Sequence, residues 1–239
     1  MFGFFWWDWT LLIVLPGFIF AAWAQYKVRS SYQKGSMQML RPGMTGSAVA
    51  RRILDSNGLS DVSIEMVAGE LTDHYDPRTR VLRLSSAVYH GNNVASVGIA
   101  AHEAGHALQH GKQYVPLKLR SAIVPICNIG SNLAMPLFLM GLFISYMSPI
   151  FGEWLMLVGI AAYSLAIVFQ LVTLPVEFNA SRRAMRCLSG SGTMSEAELK
   201  GSRQVLTAAA MTYVAALAVG LLSVLRLLVI AGSHSRRNR

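Results

Sequence analysis

Four apolar runs, each close to the roughly 20 residues a helix needs to cross a bilayer, constrain this chain more than any other feature. They cover about Trp9 to Tyr26, Ala122 to Met147, Trp154 to Leu174 and Val205 to Ile230. In hydrocarbon every backbone N–H and C=O must be satisfied internally, which leaves helices and closed barrels. Runs of this length predict helices. Only Ser148 to Glu153 separates the second run from the third, so those two should form a tight helical hairpin. Pro125 and Pro136 predict a bend in the second run. Trp6, Trp7, Trp9 and Trp23 flank or end the first run as interfacial aromatics.

Charge supports this reading. Only 14% of residues are charged, against about 25% in a soluble domain, and mean hydropathy is +0.42. The balance of 21 Lys+Arg over 12 Asp+Glu gives a net charge of +9. Lys27, Arg29, Lys118, Arg120, Arg182, Arg183 and Arg186 crowd beside the apolar runs. That is the cytoplasmic signature of a multi-pass protein, so the expected partner is the lipid bilayer and no nucleic acid. No Lys or Arg precedes the first run, and Asp8 does. The N-terminus is therefore expected outside the plasma membrane, with residues 27–120 and 176–204 facing the cytoplasm. The fourth run pulls the other way, because crossing would leave Arg236, Arg237 and Arg239 outside; crossing is nonetheless the reading adopted. Ala22-Trp23-Ala24 has the form of a signal-peptidase site, but its flanking charges are reversed, which argues for an uncleaved anchor. Two cysteines, Cys127 and Cys187, make no disulfide framework.

The expected fold is mainly α: a polytopic helical membrane protein with a small α+β domain, which His102-Glu103-Ala104-Gly105-His106 marks as zincin-like and catalytic. Its divisions are an anchor at 1–26, an α+β region at 27–120, a transmembrane hairpin at 121–175, a helix and loop at 176–204, and a membrane helix with a basic tail at 205–239. Within the polar region Thr45 can cap a helix that stops at Asn57-Gly58. Val62, Ile64 and Met66 alternate as in a half-buried strand. Leu71 to Tyr75, the turn Asp76-Pro77-Arg78-Thr79, and Val81 with Leu84 predict a β-hairpin. Asn92-Asn93 introduces a helix from Val94 to about His110.

That last helix carries His102-Glu103-Ala104-Gly105-His106. Residues four apart in a helix project from one face, so both imidazoles can hold one ion. Glu103 falls where a carboxylate can take a proton from a metal-activated water and pass it to a leaving amine. With six His and seven Glu in 239 residues, chance supplies about 0.004 such patterns. Gly105 and Ala104 are small enough to admit a substrate or a strand close to the backbone. A catalytic zinc takes a third protein ligand. The metzincin pattern would need Gly and His at positions occupied by Gln109 and Lys112, so it is excluded. His110 and Glu177 remain as candidates; His110 lies another turn along the axis, whereas the hairpin can carry Glu177 back. We favour Glu177.

The stretch Ala101 to His110 with Phe169 to Arg183 resembles the YugP-like neutral zinc metallopeptidases of bacterial membranes, as do Thr45 to Gly58, Asp73 to Pro77 and Leu206 to Ala216. A more distant likeness is to the HtpX and CAAX-prenyl-protease gluzincins, in which a Glu-x-x-x-Asp element supplies the third ligand. The resemblance implies one catalytic Zn²⁺ on His102, His106 and Glu177, Glu103 as base, and a polypeptide substrate. Ser181 stands where the distant families have Asp, so Ser181, Asn179 or another group must orient an imidazole. His74 or Tyr75 could donate to the oxyanion, and the hairpin edge could pair with an extended substrate. The function expected is zinc-dependent hydrolysis of peptide bonds in membrane or membrane-proximal polypeptides. The rival is a zinc-binding scaffold or chaperone-like regulator that does not cleave. A transporter would need ionisable groups deep in several runs, and Arg226 alone interrupts them.

Overall fold

The computed structural model describes residues 8–237, with side chains as far as His234. The expectations for Trp6, Trp7, Arg239 and the side chains of Arg236 and Arg237 lie outside the described residues. In chain order the elements are α1 (Leu11–Met37), α2 (Gly46–Ser56), β1 (Ser63–Val67), β2 (His74–Asp76), β3 (Val81–Ser85), α3 (Ser86–Tyr89), α4 (Val94–Gly111), α5 (Val115–Ile144), α6 (Pro149–Gly190) and α7 (Glu196–Arg237). The fold is mainly helical. Helices α1, α5, α6 and α7 are each long and apolar enough to cross a membrane. They overrun the apolar stretches: α6 continues through Pro175 to Gly190 instead of stopping there, as intramembrane helices tolerate when neighbours satisfy the freed carbonyl. The chain separates into two compact units, and the division falls within α1, α5, α6 and α7.

One unit comprises the chain up to Trp23, Leu119–Thr173 and the chain from Tyr213 on. Here α5 and α6 pack as the expected antiparallel hairpin. A Cβ on Gly141 would lie 2.6 Å from Met156 N and 2.8 Å from Gly152 O, so only glycine lets the backbones approach this far. Phe138, Met156, Ile160, Leu227 and Ala231 form the buried cluster between α5, α6 and α7. At the start of α1, Asp8 Oδ2 accepts from Arg226 Nη2 at 2.7 Å, and Thr10 Oγ1 accepts from Arg226 Nε at 3.0 Å. The cation that interrupts the fourth run is thereby paired. Asn128 and Asn132 of α5 are exposed.

The other unit comprises Ala24–Lys118 and Leu174–Thr212. Its sheet has the order β1-β3-β2, with β1 parallel and β2 antiparallel to β3. The hairpin is therefore present, but its first strand begins at His74. Leu71 sits at φ 54 and is exposed, a left-handed backbone that keeps it out of the strand. Met66 is exposed too: β1 is an edge strand, and the expected alternation survives only at Val62 and Ile64. Thr45 caps α2 through Ala48 N, and Arg51 ties that helix to the carbonyls of Leu59 and Val62. Leu54, Leu82, Leu84, Val88, Val97 and Ala104 are fully buried where α2, the sheet and α4 meet.

Candidate metal centre

Helix α4 begins where Asn93 Oδ1 accepts from Ser96 N at 2.9 Å, satisfying one of the orphan donors of the first turn. Its Val94, Val97, Ala101, Ala104 and Leu108 are buried in the core, and the opposite side of the same turns carries His102, Glu103 and His106. The imidazole centroids stand 4.8 Å apart at 88°. Helix α6 approaches through small residues. A Cβ on Gly105 would meet the carbonyl oxygen of Ala180 at 2.6 Å, and Ala180 and Ala184 have no exposed surface. The close approach expected at Gly105 is therefore made by a helix of the protein itself, not by a substrate or strand.

This contact brings Glu177 to the two histidines. Glu177 is 3% exposed, with Oε2 3.3 Å from His102 Nε2 and 3.7 Å from His106 Nε2. One donor atom from each of the three residues lies within 4.8 Å of the others. Two donors bound at about 2.1 Å to one tetrahedral ion stand about 3.4 Å apart. A direct charge-assisted N–H···O bond would be about 2.7–2.9 Å. The observed spacing matches a shared ion better than an ion pair, so the donor set fits zinc.

The outer nitrogens are also held. His102 Nδ1 lies 3.1 Å from Ser181 Oγ, so Ser181 itself occupies the orienting place. His106 Nδ1 lies 3.0 Å from Gln109 Oε1. Gln109 is fully buried, and its Nε2 donates to Val176 O at 2.8 Å and to Asn179 Oδ1 at 3.0 Å. A main-chain carbonyl can only accept, so the amide cannot be turned over; Oε1 must face His106, whose Nδ1 then carries the proton and whose Nε2 is left bare. Asn179 in turn accepts from Arg183 Nε at 2.7 Å, and Arg183 lies 5.8 Å over the Tyr114 ring. Asn179 thus acts on the second imidazole through Gln109. The sequence carried no local sign of Gln109's role, since its partners come from 67 and 70 residues away.

Glu103 is half-buried beside the cluster, where its Oε2 accepts from the Tyr75 backbone N–H at 3.1 Å. Burial pushes its carboxyl above the usual carboxylate range, and the charges of His106 and His102 only partly oppose this. For Glu177 burial also pushes upward, but the two imidazoles of His102 and His106 beside it prevail and hold it well below that range. Burial pulls His106 down, yet the adjacent carboxylates of Glu177 and Glu103 leave it raised. His110 is not part of the three-residue cluster. Its Nδ1 lies 2.9 Å from the Tyr75 hydroxyl. The Tyr75 amide and hydroxyl are thus both engaged, and the exposed His74 places its Nδ1 on the Thr72 carbonyl.

Comparison with known proteins agrees with this centre. The model of a family described as "Putative neutral zinc metallopeptidase" matches residues 10–232. A protein of Bacillus subtilis (strain 168) described as "Putative membrane protease YugP" is 48% identical over 208 residues, 87% of this chain and 90% of that one. No solved structure matches.

Proposed function

The chain belongs to the family described as "Putative neutral zinc metallopeptidase", and from that premise we propose that it is a membrane-embedded, zinc-dependent endopeptidase acting on membrane or membrane-proximal polypeptides. The observation that carries this reading is the convergence of His102, His106 and Glu177 on one point beside Glu103. His102 and His106 would hold the ion through Nε2 and Glu177 through a carboxylate oxygen. Bound there, zinc supplies Lewis acidity toward a peptide carbonyl and lowers the pKa of water toward about 7.

The protein's own groups do the rest. Glu103, raised by burial, is suited to accept a proton at neutral pH and return it to the leaving amine nitrogen. The Tyr75 N–H fixes one oxygen of that carboxylate and leaves the other for the proton. Gln109 leaves His106 Nε2 bare, and Ser181, beside His102 Nδ1, holds the other imidazole with its Nε2 toward Glu177. Strand β2 is an edge of the sheet, which gives an extended peptide a backbone to pair with beside Glu103. The polar region is placed in the cytoplasm of a plasma-membrane protein on the distribution of Lys and Arg.

The test is Glu103→Gln in purified full-length protein, scored for zinc content and for cleavage of casein or a membrane polypeptide. Zinc should stay bound while turnover falls about 10²–10⁴-fold. Undiminished turnover would sink the mechanism. A wild-type protein that binds zinc and cleaves nothing would instead favour the scaffold reading.

A further inference from the structure

In the unit that holds the metal centre, α6 and α7 leave a groove between them. On its α6 side Arg182 and Arg186 are one turn apart; on its α7 side Arg203 and Thr207 are likewise one turn apart. All four are exposed. No carboxylate lines the groove. Among the described residues none of the three guanidinium groups has an ion pair or hydrogen bond. Three guanidinium groups facing one concavity repel each other, and an anion entering it would relieve that repulsion while accepting their forked N–H donors.

Two features narrow the anion. Met185 and Leu206 give the groove an apolar component, and Leu206 is 4% exposed. Arg182 follows the apolar run ending at Leu174 by eight residues, and Arg203 precedes the run beginning at Val205 by two. A basic cluster flanking two spanning helices, with apolar residues among its charges, suits an amphiphile bearing a phosphate. We propose that Arg182, Arg186 and Arg203 form a headgroup site for one anionic phospholipid. Ser181, which holds His102, also lines the groove, so the site adjoins the zinc ligands without containing one, and the inference holds whether or not the chain cleaves peptides.

The test uses the full chain reconstituted with phosphatidylcholine and phosphatidylglycerol in a 3:1 ratio (about a quarter anionic, as an ordinary anionic leaflet), then extracted in mild detergent for native mass spectrometry. The wild type should retain one phosphatidylglycerol in preference to phosphatidylcholine. Arg182→Gln/Arg186→Gln/Arg203→Gln should bind it about a hundredfold more weakly, at the usual contribution of three basic groups near an anionic surface. The single inversion Arg203→Glu should also release it, and it guards against misfolding of the triple variant; zinc content checks the fold of both. Arg29→Gln/Lys34→Gln/Arg41→Gln removes the same charge elsewhere in this unit and should leave retention intact. Equal loss in that control would reduce the effect to diffuse attraction and overturn the site. Retention unchanged in both groove variants would overturn it as well. So would inorganic phosphate that binds lipid-free protein and is not displaced by phosphatidylglycerol, since the groove would then serve a soluble anion.

Discussion

At the scale of single residues, the metal centre depends on which nitrogen of each imidazole keeps its proton. Gln109 decides this for His106, because Val176 O can only accept and so fixes the direction of the amide. Gln109→Leu keeps the volume but removes both the acceptor for Nδ1–H and the donor to Val176, and zinc affinity should fall about 10–100-fold. Competition with a chelator measures this directly, without reference to turnover. In the same assay Glu177→Gln should lose zinc, whereas His110→Ala should keep it, since His110 serves the Tyr75 hydroxyl. Metal loss in His110→Ala with full occupancy in Glu177→Gln would reverse the ligand assignment. What was legible here follows the range of the interaction. His102, Glu103 and His106 lie within one helical turn, so their spacing alone places them together. Glu177 needed the hairpin to bring it back and the ligand count to call for it. Gln109 was out of reach, because in sequence it looks like any polar residue on a helix and gains its meaning only from α6. Ser181 stood in place of an expected carboxylate, and its hydroxyl takes that place at 3.1 Å from His102.

At the scale of elements, the three-residue cluster exists because α4 and α6 come close enough to bring His102, His106 and Glu177 within 4.8 Å of one another. Gly105 permits it. A methyl group there would fall 2.6 Å from the Ala180 carbonyl, and a backbone oxygen cannot swing aside as a side chain can. Gly105→Ala should therefore force the helices apart, costing about 1–3 kcal/mol of stability. Glu177, three residues from the contact, should move with α6. Thermal unfolding and zinc titration should both register the change; a variant with wild-type zinc affinity would show that the site tolerates a wider helix spacing than the geometry implies. The helices themselves were readable from period, caps and apolar length. The strands were less so. Leu71 and Met66 fit a β pattern in sequence, yet one adopts a left-handed turn and the other lies on an uncovered edge, and both outcomes depend on neighbours the pattern does not contain.

At the scale of the whole chain, the unresolved matter in the sequence was whether the fourth apolar run crosses, since its trailing arginines oppose the charge rule. The helical unit built from α1, α5, α6 and α7 supplies an independent argument. Asp8, ahead of α1, pairs with Arg226 late in α7, and Gly17 of α1 packs on Val219 and Leu222. Moving forward along α1 thus means moving backward along α7. The pairing of Gly220 with Ile167, and of Leu227 with the cluster around Met156 and Ile160, makes α7 antiparallel to α6 as well. Beyond Arg226 along α7, His234 stacks edge-on at 5.2 Å with Tyr146, in the turn between α5 and α6. Residue 8, the 145–148 turn and residue 234 therefore gather at one end of this unit, as they must if α7 traverses it completely. The charge rule sets the orientation expected from the first helices, and a paired Arg226 would lower the penalty for drawing the last helix through. In intact cells a membrane-impermeant maleimide should label Ser148→Cys and Ser233→Cys and should reach Ser31→Cys only after permeabilisation. Labelling at 148 without 233 would mean that α7 does not cross, and labelling at 31 from outside would invert the entire arrangement.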